Sequence, residues 1–137
     1  MGEGPRRTML AADAASTGWL DAVARHGGPY CFVSEAALIY LDAPQVRAVA
    51  LRLAQRFPGA WLVSDTMSRH LVDTQARHDA MRYLHSSSWF RWGCDDPSAL
   101  AEWGLLLRRT RRFDECGPEI LGRLPMDWSM MLTWFPW

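Results

Sequence analysis

The chain contains no lysine: all 15 of its basic residues are arginine, and 15 acidic residues balance them to zero net charge. A chain without charge excess offers no general field for nucleic acid or an anionic membrane, and neither is expected as a partner. Only Arg108, Arg109, Arg111 and Arg112 cluster. A solvated edge-strand face explains them better than phosphate binding, because charges blunt an exposed edge. Cysteine is scarce too. Cys31, Cys94 and Cys116 have no paired spacing and no histidine at metal-ligand intervals, which argues against a disulfide framework or a zinc site and points to a reducing, cytoplasmic location. No apolar run approaches the roughly 18 residues needed to span a bilayer, and Met1 to Arg7 lacks a signal-peptide core. Finally, no glycine-rich turn follows a strand. Gly2-x-Gly4 precedes none, and Gly27-Gly28 comes before one rather than after it.

What remains is globular in composition: 137 residues, 49% hydrophobic and 22% charged, with 8 tryptophans, read as one domain over 1–137 with a flexible start at 1–8. The organising stretch is Gly28 to Leu41. Tyr30 to Val33 is a short apolar run opened by a Gly-Pro turn, the pattern of a buried strand in a parallel sheet. Glu35 follows where such a strand hands over to its loop, and open α/β sheets bind ligands outside those carboxyl ends. Asp42-Ala43-Pro44-Gln45 then supplies an N-cap, a proline at the first helical position and a glutamine at N3, a capping box. The helix from Pro44 to about Phe57 carries Val46, Val49, Leu53 and Phe57 on one stripe. Pro58-Gly59 ends it, and Ala60 to Ser64 gives a second strand. Strand, helix and strand joined by short connections predict two adjacent parallel strands.

Around this unit, Ser16 or Thr17 caps a helix from Gly18 to Arg25, stopped by Gly27-Gly28. Asp65 ends the second strand as Glu35 ends the first. Capping of a helix from Arg69 to Tyr83 is favoured for it over facing a substrate. His70 and His78 lie eight apart, which is wrong for chelation on a helix, so no metal is expected. Trp89, Phe90 and Trp92 suit an apolar substrate pocket, with core packing as the competing reading. Asp96-Pro97 caps a helix to about Trp103, Gly104 releases a third strand from Leu105 to Phe113, and Pro118 to Trp137 reads as one or two short helices.

The run Val33-Ser34-Glu35-Ala36-Ala37-Leu38-Ile39-Tyr40-Leu41 resembles the Glu-Gly-x-Leu-x-Tyr-Leu signature of the leucine carboxyl methyltransferase family, in particular its bacterial branch of polyketide-type O-methyltransferases. Arg56-Phe57-Pro58-Gly59 leading into Leu62 to Ser68, and Phe90 to Pro97, echo its following segments in the right order. The likeness runs from about Arg7 to Trp134 and covers the second half of a family domain. It implies an α/β fold: a partial Rossmann-like class I methyltransferase sheet, its C-terminal half, of mainly parallel strands flanked by helices, with the glycine-rich N-terminal half missing.

That resemblance implies S-adenosyl-L-methionine as cofactor and a small-molecule carboxyl or hydroxyl acceptor. Glu35 would hydrogen-bond the cofactor near the reacting centre, and Tyr40, the catalytic candidate, would position the acceptor oxygen. Trp19-Leu20-Asp21 matches an element that, in the family, follows an acidic loop close to the adenine of the cofactor. Where many relatives carry aspartate three residues before that tryptophan, Ser16 stands here and the aspartate falls at Asp13, either a partner for an exocyclic amine or an ordinary turn aspartate. The missing half leaves the first strand with an unpaired apolar edge, which calls for a second copy or a complementing N-terminal polypeptide. The competing function is a non-catalytic, methyltransferase-like remnant that acts as a binding or partner subunit.

Overall fold

The computed structural model describes residues 7–78, 81–112, 115 and 117–123. The chain forms two compact units, Met1–Leu106 and Leu107–Trp137. The first is an α/β unit built on a two-stranded parallel sheet. Strand β1 is Cys31–Ser34 and β2 is Trp61–Ser64, joined through helix α2, Ala43–Arg56. The register pairs Cys31 with Trp61, Phe32 with Leu62, Val33 with Val63 and Ser34 with Ser64. Helix α1 is Gly18–Ala24, and α3 is Arg69–Thr74.

Helix α2 forms where its apolar spacing and its start signals agree. Gln45 Oε1 accepts from the Asp42 amide at 2.9 Å, so the glutamine half of a capping box closes the helix start. Pro44 occupies the second helical position rather than the first, because the helix opens at Ala43. Val46, Val49, Ala50 and Leu53 are all buried, as is Phe57 at the cap. Each of the larger four stabilises by roughly 1.5–3 kcal/mol relative to exposure. They pack with Leu20 of α1, Leu38 and Trp92. The sheet contributes aromatic rings to this core, with Phe57 lying 4.7 Å from Tyr30 and 5.0 Å from Phe32 between centroids.

The sheet is covered on one face. Phe32 and Leu62 point toward the core, whereas Val33 is 72% exposed, Trp61 59% and Val63 54%. The apolar run at 30–33 predicts burial on both faces; the strand instead alternates, since among the described residues helices pack on one side alone.

Three further expectations change. The helix from Arg69 stops at Thr74 and continues as a single 3₁₀ turn at Gln75–Arg77, short of Tyr83. Pro97–Trp103 is a 3₁₀ helix, closed by Gly104 in the left-handed conformation at φ 79°. Beyond it, the described residues 105–112 form no strand, and Leu106 is 71% exposed. β propensity alone does not make a strand where no neighbour accepts its backbone bonds. The second unit has one described helix, α4, Pro118–Leu121. Phe113, Cys116 and 124–137 lie outside the described residues.

Candidate functional site

Because Ser34 and Ser64 are paired, the residues after them, Glu35 and Asp65, leave the sheet at the same end. The Asp65 amide donates to Ser34 O at 3.4 Å, extending the pairing one step. The Asp65 carboxylate does not cap α3. Both of its oxygens instead accept from the amide of Ala36, at 3.1 and 3.0 Å. Ala36 is in the left-handed region at φ 47°, a conformation that costs a non-glycine residue about 1–2 kcal/mol. Capping of α3 falls to others: Ser68 Oγ accepts from the Leu71 amide at 3.2 Å, and Asp95 Oδ1 from the Arg69 amide at 2.9 Å. Glu35, on the turn that Asp65 holds, is exposed. Beneath it Ser34 Oγ is buried and has no hydrogen-bond partner among the described residues, so this tip retains an unspent polar group.

The turn leads into a 3₁₀ segment, Leu38–Tyr40, whose Leu38 and Ile39 are buried while Tyr40 is 42% exposed. The Ile39 carbonyl accepts from the amides of both Arg91 and Trp92, at 2.8 and 3.1 Å. This fixes 90–92 beside Tyr40, whose ring lies 5.5 Å from that of Phe90. Phe90 is held from behind by Gln75, buried at 4% exposure, whose amide pairs with the Phe90 main chain. The structure thus brings together Tyr40 and Phe90. Trp89 is half-buried, its Nε1 donating to Leu84 O at 3.3 Å. Trp92, 5% exposed and 6.4 Å from the Trp103 ring, is spent on the core rather than on a pocket wall.

Asp13 and Ser16 form one turn. Asp13 Oδ1 accepts from the Ala15 amide at 2.8 Å, and Asp13 O accepts from Ser16 Oγ at 2.7 Å. Arg52 Nη1 donates to Ala15 O and ties this turn to α2. Arg52 follows Asp42 by ten residues, about 15 Å along the helix axis.

Two ionisable groups nearby are perturbed. Burial pushes the Cys94 thiol above its ordinary value, against a main-chain hydrogen bond from Asp96 that lowers it. The hydroxyl and amide of Ser98 hold the Asp96 carboxyl below its ordinary value. His70 and His78 are exposed, and no group of three or more metal-ligating side chains occurs among the described residues. No described helix is long and apolar enough to cross a membrane. Residues 108–112 are exposed outside any strand.

Two participants escape a reading of the sequence, and a third does not. Asp65 looks like a local cap because its partner lies 29 positions upstream. Gln75 looks like one more polar residue on a weak stripe, with its partner 15 positions downstream. Ser34 is discoverable, since period-2 alternation places it on the inward face with Phe32. No protein family, curated protein or solved structure matches the chain.

Proposed function

We propose that this chain is part of an S-adenosylmethionine-dependent O-methyltransferase of the leucine carboxyl methyltransferase type, its Glu35-to-Tyr40 turn forming one wall of the methyl-transfer site. The observation that carries the reading is Ala36. It occupies the glycine position of the Glu-Gly-x-Leu-x-Tyr-Leu signature and adopts the left-handed backbone that favours glycine. It does so at the carboxyl end of a strand in a parallel sheet, where ligands of open α/β folds bind.

The tip's polar groups suit the cofactor: an exposed carboxylate at Glu35 to accept from hydroxyl or amino groups, and the buried Ser34 hydroxyl beside it, which has no partner among the described residues. When bound, the cofactor would supply an electrophilic methyl group, its bond to sulfur breaking as the bond to the acceptor oxygen forms; a carboxylate acceptor has no proton to lose, and a hydroxyl acceptor would release its proton to solvent. The protein's part is to orient. Tyr40, packed on Phe90, directs the acceptor oxygen, and the rings of Trp89 and Phe90 receive an apolar acceptor body. Further strands would come from a complementing polypeptide or a second copy, and a glycine-rich turn from a complementing polypeptide alone, since this chain carries none after a strand.

A second reading, a non-catalytic binding subunit, is favoured by the bare sheet face of Val33, Trp61 and Val63. Calorimetric titration with S-adenosylmethionine separates the two. A saturable heat that Glu35→Gln abolishes is expected; no heat at millimolar ligand overturns the methyltransferase reading for this chain.

A further inference from the structure

We propose that Asp65 is the positioning residue of the Glu35-to-Tyr40 turn, acting across the sheet through the amide of Ala36. The inference rests on the methyltransferase reading for what the turn holds, but not for the clamp itself. Ala36 is the hinge of the turn: Glu35 precedes it, and the segment bearing Tyr40 follows it. Its left-handed backbone is unfavourable for alanine, and something must hold it there. The Asp65 carboxylate reaches the amide of Ala36 with both oxygens, at 3.1 and 3.0 Å.

Asp65 is itself fixed on both sides. Its amide bonds to Ser34 O at 3.4 Å, and its carbonyl accepts from Ser64 Oγ at 3.0 Å. The carboxylate is therefore delivered by the strand register rather than by a flexible loop. A hydrogen bond to a charged acceptor is stronger than one between neutral groups, and this one opposes the cost of the left-handed alanine. One carboxylate thus offsets the strain of the turn, and the direction of Glu35 and the start of the Tyr40 segment depend on it.

The role predicts a specific rescue. If Asp65 works by holding Ala36 left-handed, a residue that adopts this backbone without cost removes the need for it. The test compares wild type, Asp65→Asn, Asp65→Ala and the double variant Asp65→Ala/Ala36→Gly. Amide hydrogen exchange is followed at residue 36, with the Trp61 amide, bonded to Tyr30 O at 3.1 Å, as the control that the sheet remains folded. Each protein is then titrated with S-adenosylmethionine. Asp65→Ala is expected to speed exchange at Ala36 by about tenfold or more while Trp61 stays protected. Asp65→Asn, which keeps one acceptor oxygen, falls between. Affinity drops in Asp65→Ala and returns in the double variant.

If exchange at Ala36 is indifferent to Asp65 while the sheet stays folded, the clamp is overturned. If affinity is lost in Asp65→Ala and not regained with glycine at 36, Asp65 touches the ligand itself and the positioning role is overturned. Wild type that binds nothing removes the methyltransferase reading, and the amide of Ala36 then decides the clamp by itself.

Discussion

The side-chain amide of Gln75 and the main chain of Phe90 form a closed hydrogen-bonded pair: Nε2 donates to Phe90 O and Oε1 accepts from Phe90 N, both at 2.8 Å. A side chain here substitutes for a neighbouring strand. The pair is buried and fixes the ring that Tyr40 packs against. Gln75→Leu keeps the volume and removes both bonds, leaving a main-chain donor and acceptor unsatisfied. It should destabilise the chain by about 2–4 kcal/mol in denaturant unfolding. An unchanged midpoint would show that the Phe90 backbone has another partner.

Gly93 is enclosed by backbone. A Cβ there would lie 3.0 Å from both Cα and N of Arg69 and 3.1 Å from Met67 O. Nothing flexible can yield, and the Cys94 amide bonds to Met67 O at 2.8 Å in the same contact. Gly93→Ala is expected to cost about 1–3 kcal/mol, measured as a lowered unfolding midpoint. A neutral result would mean that 66–69 and 92–95 are not held together.

The start of the Pro97–Trp103 helix should depend on pH. Asp96 Oδ1 accepts from the Ser98 amide at 2.9 Å and from its hydroxyl at 2.6 Å, and these bonds hold the carboxyl below its ordinary value. A depressed folded value means that the cap's stabilisation is complete above the unfolded value and is lost as pH falls through the folded one. The Ser98 amide resonance should therefore move in acid, below the ordinary carboxylate range. Asp96→Asn should flatten that titration; a Ser98 shift that titrates unchanged in the variant would assign it to another group.

Valines at two positions report whether the sheet has one covered face. Val46 is 2% exposed and Val33 is 72% exposed. Val46→Ala should cost roughly 2 kcal/mol, by lost transfer energy and the cavity left behind. Val33→Ala should change stability by less than about 0.5 kcal/mol. Equal costs would mean that the Val33 face is covered in solution.

Local chemistry sufficed for the secondary structure of the strand-helix-strand unit. Val46, Val49, Leu53 and Phe57 recur at the helical period, Asp42 and Gln45 close its start, and Pro58-Gly59 ends it, so both strands and their parallel pairing follow from short-range signals. The same holds for Asp96 and Gly104, whose capping geometry involves neighbours within a few residues. Where the sequence failed, the deciding contact was distant. Leu105 to Arg112 has strand-like residues but no described strand, because pairing requires a neighbour that no local pattern supplies.

The sequence by itself determined that a carboxylate follows each strand, since an apolar run ending in Ser-Glu or Ser-Asp carries that information in order alone. Only the tertiary structure decided that the two carboxylates have different work. Register sets Asp65 against the amide of Ala36, and so leaves Glu35 exposed at the tip. The physical reason is that a hydrogen bond is satisfied by whichever donor folding brings within about 3 Å, and that distance is set by packing between strands rather than by separation along the chain.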